Sequence, residues 1–156
     1  MTDSNIDLPT AEPCAFCDYL SGSRPYTVLC RSDTVAVLVT REQRGIGHLL
    51  VLPTRHIPTL LETTKRERHA LIDTLAAAAK LIDEAYERPG IAIWQNNGIA
   101  AHQAIPHLHF HVAGTLPSGG TEFGPVPELS IGKTDKIAER LASSGGHEIC
   151  IGGEKG

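Results

Sequence analysis

The chain has 156 residues, 41% of them hydrophobic, and a formal net charge of −4 at pH 7. A chain of this length can bury the core of one domain without disulfides. The sequence shows no basic patch, and no stretch approaches the ~20 apolar residues of a membrane span. Neither nucleic acid nor a membrane is therefore expected as a partner.

The N-terminal segment and the cysteines set expectations about location. Residues 1–12 are polar and acidic, unlike a signal peptide, and are predicted to be a disordered lead-in. A cytoplasmic, reduced setting is then the default for all four cysteines. Cys30 and Cys150 are interpreted as small packing residues. Cys14 and Cys17 form a C-x-x-C pair, but no thioredoxin-like βαβ pattern surrounds them to favour a redox role.

Five short runs rich in apolar or β-branched residues predict strands. They lie at 27–31, 35–40, 48–52, 91–95 and 107–113. The first three follow one another closely, which indicates an antiparallel meander. A polar loop separates the last two, and a possible short strand lies at 149–151.

Two helices are predicted as well. The long helix begins at a capping box formed by Thr64 and Glu67 and ends before Pro89. Its apolar residues recur at helical spacing; they are Leu71, Leu75, Ala78, Leu81, Ile82 and Ala85. A shorter helix is predicted at 134–143, after a stretch rich in glycine and proline.

These elements predict an α+β domain. Its sheet has about five mostly antiparallel strands, with one long helix and a short C-terminal helix. We assign residues 13–115 to the domain proper and 116–156 to a C-terminal extension that packs on the same domain.

The strand at 107–113 carries three histidines at alternate positions. Alternation in a strand directs His107, His109 and His111 to one face. Three readings are open: unrelated surface histidines, a metal site built from all three rings as in His₃ metalloenzymes, and catalysis. Catalysis is favoured, because three histidines on a single strand face are rarely accidental.

The triad resembles the His-φ-His-φ-His-φ-φ signature of the histidine triad (HIT) superfamily. Residues 47–57 are similar to that family's G-H-x-L-V-x-P-x-x-H-I segment, and Asn96-Asn97-Gly98 with Gln103 also match. The chain is identified as a member of this family over roughly 14–114. The resemblance implies a HIT-like fold.

The resemblance also implies a mechanism. His109 would attack the α-phosphorus of a nucleotide-like substrate and form a nucleotidyl-histidine, which water then hydrolyses. A backbone carbonyl would fix its tautomer. His111 would donate to a phosphate oxygen or assist the leaving group, and His48 would be the fourth active-site histidine. Asn96 and Gln103 would bind the phosphate or the leaving group.

Two positions depart from the family pattern. Thr40 stands where nucleotide-hydrolysing members usually carry Asp or Asn for the ribose, and its single hydroxyl is a poorer partner for a diol. Ala104 stands where phosphoramidase members often have Ser or Thr. Both favour an alternative in which the chain is a non-catalytic, zinc-stabilised nucleotide-binding protein.

A structural zinc site is implied by the resemblance alone. Cys14 and Cys17 lie too far in sequence from any histidine for a zinc finger. In many bacterial HIT proteins, and in galactose-1-phosphate uridylyltransferases, a similar pair joins two histidines on zinc. The implied ligands here are Cys14, Cys17, His56 and His107, with no organic cofactor. The chain nevertheless differs from the uridylyltransferases, which act on sugar nucleotides: those chains are longer and carry proline where this chain has Leu108.

The favoured function is therefore a nucleotide hydrolase or transferase. Its substrates would be nucleoside phosphoramidates or dinucleoside polyphosphates, and Asn96 mildly favours the former. The resemblance further implies a homodimer.

Overall fold

The computed structural model describes residues 4–150. Within them the elements are α1 (Ala15–Ser21), β1 (Val28–Arg31), β2 (Val35–Val39), β3 (Ile46–Pro53), α2 (Lys65–Tyr86), β4 (Ile91–Trp94), β5 (Phe110–Gly114) and α3 (Ile131–Ala142). Single turns of 3₁₀ helix lie at Leu60–Glu62, Ile99–Ala101 and Gly146–Glu148.

The strands form one antiparallel sheet in the order β1-β2-β3-β5-β4. The α+β prediction, with five antiparallel strands, a long helix and a short C-terminal helix, is confirmed. After α2 the chain first forms the edge strand β4 and then returns to insert β5 beside β3. This order brings the histidine-bearing strand next to the strand that carries His48.

The long helix begins where the sequence predicts. The Thr64 side chain accepts the Glu67 backbone N–H at 3.1 Å, and the Glu67 carboxylate accepts the Thr64 N–H at 2.8 Å. Glu67 also receives two hydrogen bonds from the Arg55 guanidinium, each 2.8 Å. The apolar stripe of α2 packs on one sheet face, where Val37, Val51 and other odd-numbered strand residues are buried.

The opposite face of the sheet has a smaller core. Leu38, Leu50 and Leu52 are buried there beneath Phe16 of α1. Their even numbers follow from the alternation of side chains along β2 and β3. This second face also carries the histidines of the candidate site.

The C-terminal segment packs on the first face. Ser130 caps α3, Leu141 is fully buried in the main core, and Arg140 lies over the Tyr86 ring. Cys30 and Cys150 form a disulfide with a Cα–Cα distance of 5.8 Å. The prediction that these two cysteines are reduced packing residues is therefore wrong. The two positions are 120 residues apart, so no local pattern indicates the pairing.

Two strand predictions also need correction. The last predicted strand starts only at Phe110, because the Leu108 N–H bonds to the Ile57 carbonyl and the His107 N–H to that of Ile105. Residues 149–150 form no strand, and Ile151 lies outside the described residues. Residues 4–12 have no regular structure, yet the Asp7 carbonyl accepts the Ile99 N–H at 2.8 Å. No helix within residues 4–150 has the length and apolar character to cross a membrane.

Candidate active site and metal centre

The sheet brings together two histidines that are distant in sequence. Leu50 of β3 pairs with His111 of β5, and His48 lies two residues before Leu50 on the same face. The His48 Nε2 and His111 Nδ1 atoms are 3.0 Å apart. Since Leu49 and Val112 point into the core beneath α2, both rings lie on the face opposite that helix.

Hydrogen bonds fix the tautomers of this pair. The Arg44 backbone N–H lies 3.0 Å from His48 Nδ1. An N–H can only donate, so Nδ1 of the neutral His48 ring accepts and its proton lies on Nε2. That proton is donated to His111 Nδ1. The neutral His111 ring therefore carries its own proton on Nε2, where it is a donor for a ligand.

The environment keeps both rings uncharged. Burial lowers the pKa of His48 from 6.5 to about 3, and the positive charge of Arg44 adds to the shift. Burial also lowers the pKa of His111 to about 2, with further contributions from His109, His48 and Arg44. Both side chains therefore act at neutral pH as hydrogen-bonding groups rather than as cations.

His109 has the complementary arrangement. Its Nδ1 lies 2.7 Å from the backbone carbonyl of His107. A carbonyl can only accept, so Nδ1 carries the proton and Nε2 keeps a free lone pair. Burial lowers the pKa of His109 as well, although the His107 carbonyl opposes the shift. An uncharged imidazole with an available nitrogen is the state that a nucleophile requires.

Two aromatic residues that sequence reasoning missed support the histidine rings. Trp94 pairs with His111 across β4 and β5, and their rings stack at 4.7 Å with an angle of 3°. Phe16 of α1 meets the His109 ring edge-on at 4.8 Å. The only sequence signal for Trp94 is that the chain's single tryptophan lies near the end of a predicted strand.

The loop between β2 and β3 is held by Gln43, another residue that sequence reasoning missed. Its amide nitrogen donates to the carbonyls of Thr40 and His48, and its oxygen accepts the His48 N–H. The predicted ribose residue Thr40 is buried, and its hydroxyl oxygen accepts the Glu42 N–H at 3.2 Å. The loop is therefore anchored directly to the backbone of His48.

The predicted phosphate-binding residues differ in their surroundings. Gln103 is buried, donates to the carbonyls of Pro58 and Ile105, and accepts the Gly98 N–H. Both of its amide protons are used, so it holds the loop and has no donor left for a phosphate. Asn96 is half-buried after β4, and within residues 4–150 no hydrogen bond joins its side chain to the histidines.

The four implied metal ligands come together. Single ligand atoms of Cys14, Cys17, His56 and His107 all lie within 4.8 Å of one another. His107 Nδ1 is 3.4 Å from Cys14 Sγ, 3.7 Å from Cys17 Sγ and 3.3 Å from His56 Nδ1. Ligands of a tetrahedral zinc ion stand about 3.3–3.8 Å apart, given its bond lengths. These distances and the two-sulfur, two-nitrogen donor set fit zinc.

The second ring nitrogen of His107 also fits a metal ligand. Its Nε2 lies 2.8 Å from the Pro53 carbonyl, the kind of partner that orients ligating imidazoles. A His₃ site on the triad is not supported, because both ring nitrogens of His107 are engaged elsewhere: Nδ1 faces the cysteines and His56, and Nε2 faces the Pro53 carbonyl. Across the described part of the chain, the Cys₂His₂ group is the one cluster suited to a metal.

Comparison with known proteins identifies the family. The family model of the HIT domain matches residues 21–117. The chain is 30% identical over 143 residues to the protein named Protein hit of Bacillus subtilis (strain 168), covering 86% of this chain and 98% of that protein. The chain therefore belongs to the HIT family.

Other relatives carry functional names. The chain is 28% identical to the adenosine 5'-monophosphoramidase hnt1 of Schizosaccharomyces pombe, covering 71% of this chain and 78% of that protein. It is 30% identical to the asymmetrical bis(5'-nucleosyl)-tetraphosphatase of the same yeast, covering 74% of this chain and 62% of that protein.

Solved structures show the same fold. A HIT-like protein from Bartonella henselae superposes with a TM-score of 0.79 at 20% identity, over 87% of this chain and 98% of that one. A Zn-bound histidine triad family protein from Mycobacterium smegmatis superposes with a TM-score of 0.65 at 24% identity, over 84% and 94% of the two chains.

Proposed function

We propose that this HIT protein is a nucleotidyl hydrolase or transferase in which His109 attacks the α-phosphate of a nucleotide. The observation that carries the proposal is the pair of opposite tautomers: His109 has a free lone pair on Nε2, and His111 has a proton on Nε2. A nucleophile and a donor lie side by side, with ring centroids 5.0 Å apart. The names of curated relatives support nucleotide hydrolysis.

The reaction would have two steps. His109 Nε2 gives its lone pair to the α-phosphorus, and the bond from phosphorus to the leaving group breaks with its electrons going to the leaving group. The proton stays on His109 Nδ1, which keeps donating it to the His107 carbonyl. Water then attacks phosphorus, the N–P bond breaks, and the nucleoside monophosphate departs with release of the water's proton. The His111 Nε2–H would stabilise charge on the phosphate oxygens or, for an amine leaving group, give its proton to the departing nitrogen and regain one from the attacking water.

Zinc bound by Cys14, Cys17, His56 and His107 would be structural, and the Zn-bound family structure supports this assignment. The ion would cross-link α1 to the segment before β5. The ring of His107 would then be fixed while its backbone carbonyl orients His109. We propose that this link positions the nucleophile and that the protein has no organic cofactor.

For substrate contacts we propose Thr40 and Asn96. The Thr40 hydroxyl accepts a backbone N–H and keeps its own proton for a ribose oxygen. Asn96 follows Trp94 closely and would reach the phosphate or the leaving group. The substrate would be a nucleoside phosphoramidate or a dinucleoside polyphosphate. The experiment below distinguishes this enzyme from the alternative, a protein that binds nucleotide without turnover.

The test is capture of the intermediate. The protein is mixed with adenosine 5'-phosphoramidate or diadenosine polyphosphate, quenched within milliseconds and analysed by mass spectrometry of the intact chain and of its peptides. We expect an adenylyl adduct on a peptide containing His109, together with turnover. Both should be absent in His109→Ala and retained in His69→Ala, a matched change at an exposed helix position. Nucleotide binding without adduct or turnover in the wild-type protein would overturn the proposal.

We also propose the homodimer that the resemblance implies. β4 is an edge strand with Ile93 49% exposed, and Ile72 on α2 is 56% exposed. A second copy pairing along β4 would cover such apolar surface. Light scattering should give twice the chain mass for the wild type and a lower mass for Ile93→Glu, which places a charge in the interface.

The HIT domain at 13–115, the extension at 116–156 and the cytoplasmic location also stay predictions.

A further inference from the structure

Arg44 is bound to the loop beside the histidines by several backbone contacts. Its own N–H holds His48 Nδ1, and its carbonyl accepts the Glu122 N–H at 2.8 Å. Its Nη1 donates to the Gly124 carbonyl at 2.6 Å and to that of Glu122 at 3.3 Å. The guanidinium is therefore held in place by carbonyl groups, without a need for a carboxylate.

The positive charge of Arg44 is unpaired. Within residues 4–150, no carboxylate lies within 4.0 Å of it, and no hydrogen bond uses its Nε or Nη2. Arg41 in the same loop is different: its Nε donates to the Leu129 carbonyl, and its Nη1 lies 3.4 Å from Glu128. The loop thus carries two different arginines: the charge of Arg41 is paired with a carboxylate, and Arg44 keeps unused N–H donors and an unpaired charge.

The loop lies at one end of the histidine row. A Cβ on Gly45 would lie 2.9 Å from the Ala113 Cβ and 2.5 Å from the Gly114 carbonyl. Only glycine permits this close approach, which sets the loop on β5 just beyond His111. The metal ligand His107 lies at the other end. Because the Arg44 N–H also contacts His48 Nδ1 at 3.0 Å, the arginine lies beside the His48–His111 pair, and its charge contributes to the lowered pKa of both rings.

We infer that Arg44 selects the leaving group by binding an oxyanion beyond the attacked phosphorus. This inference rests on the function proposed above. When the bond to an oxyanion leaving group breaks, its electrons move onto the bridging oxygen, and a fixed guanidinium stabilises that charge. An amine leaving group instead needs a proton, which Arg44 does not supply. The preferred substrates are therefore nucleotides activated by a further phosphate or by sulfate.

The kinetic test compares substrates that share the adenylyl half. These are diadenosine polyphosphate, adenosine 5'-phosphosulfate and adenosine 5'-phosphoramidate. For Arg44→Gln we expect kcat/KM to fall roughly 10- to 100-fold on the two oxyanion substrates and less than about threefold on the phosphoramidate. Comparing kcat/KM on the first two substrates shows whether the oxyanion site prefers a phosphate or a sulfate. Arg44→Lys should restore part of the loss.

The matched control is Arg41→Gln, which removes another side-chain anchor of the same C-terminal segment but a charge already paired with Glu128. It should not change the ratio of kcat/KM between substrates. Equal losses on all three substrates in Arg44→Gln would overturn the inference, because they would show that Arg44 acts only through the loop.

A binding test is independent of turnover. In the His109→Ala background, calorimetry should show ADP and ATP binding more tightly than AMP, and Arg44→Gln should remove that difference. Equal affinities for AMP and ADP would overturn the inference. If turnover requires His109 but Arg44→Gln lowers kcat/KM equally on all substrates, the inference fails and the proposed function stands. If no substrate turns over but the ADP preference requires Arg44, the proposed function fails and the oxyanion site stands.

Discussion

His48 Nε2 donates to His111 Nδ1 across 3.0 Å, and the direction of this hydrogen bond is set by the Arg44 N–H on the far side of the His48 ring. The relationship makes His48 a positioning residue. It holds His111 in the tautomer whose free nitrogen carries a proton.

The first prediction concerns this hydrogen bond. His48→Phe keeps an aromatic ring beside Trp94 but removes the donor, so His111 can adopt the wrong tautomer. We expect kcat to fall on the order of tenfold or more, with a smaller change in KM, because the lost interaction acts in the transition state. Steady-state kinetics on adenosine 5'-phosphoramidate measures both. His69→Phe is the control, and a change in KM alone would contradict the role.

The second prediction is a pH dependence of stability. The folded-state pKa values of His48 and His111, about 3 and about 2, lie below the ordinary 6.5. Between pH 6.5 and about 3 the unfolded chain therefore binds more protons than the folded chain. The free energy of unfolding should fall as the pH is lowered through this window.

Urea unfolding at several pH values from 7 to 4 tests this sign. A His48→Phe/His111→Phe double variant lacks the two titrating imidazoles but keeps every carboxylate. Among these is the Glu67 carboxylate, whose pKa is lowered mainly by Arg55. Its stability should fall less steeply with acid than that of the wild type. Parallel curves for the two proteins would rule out the contribution of these rings.

The third prediction concerns the metal centre. Purified protein should contain about one zinc ion per chain, as expected for a closed Cys₂His₂ site. Cys17→Ser should lose nearly all of it and lower the melting temperature, since binding energy in such sites is folding energy. Elemental analysis and thermal unfolding measure the two effects. Cys30→Ser/Cys150→Ser is the control, because it changes two cysteines outside the cluster and should keep its zinc.

The fourth prediction concerns the start of α2. Glu67 caps the helix and receives both Arg55 hydrogen bonds, and its side chain is 9% exposed. Glu67→Ala removes these bonds together and should cost about 1–3 kcal/mol in unfolding free energy. Chemical denaturation measures it. Glu62→Ala is the control: Arg55 Nη2 donates only to the backbone carbonyl of Glu62, which the substitution keeps, so a similar loss there would contradict the assignment.

Local features were readable from the sequence. The capping box of α2 depends on residues three apart, and the shared face of His109 and His111 depends on alternation along one segment. Both are visible in the letters themselves. The long helix and the five strands follow from the same local periodicities.

The parts of the site that the sequence did not predict depend on contacts between distant segments. Trp94 reaches His111 only through the register of β4 against β5, and Arg44 reaches His48 only through the shape of a loop. The triad segment joins the sheet only at Phe110, because the Leu108 N–H bonds to the carbonyl of the distant residue Ile57. The metal ligands were anticipated by family resemblance, not by spacing, since His56 and His107 are 51 positions apart.

The fifth prediction concerns the disulfide between Cys30 and Cys150. It ties β1 to the segment after α3 across 120 residues, and Cys14 and Cys17 are the two free cysteines. Closing so long a loop restricts the unfolded chain, so reduction should lower the free energy of unfolding by about 2–5 kcal/mol. Urea denaturation with and without reductant measures the difference.

The control for this prediction is the Cys30→Ser/Cys150→Ser variant. It should match the reduced wild type and respond little to reductant, which separates the disulfide from any effect of reductant on the metal cysteines. Thiol titration of unfolded, zinc-free protein should find two thiols before reduction and four after it. Four thiols without reductant would mean that the pair is open in solution, and the stabilisation assigned to it would then have to come from packing of α3 alone.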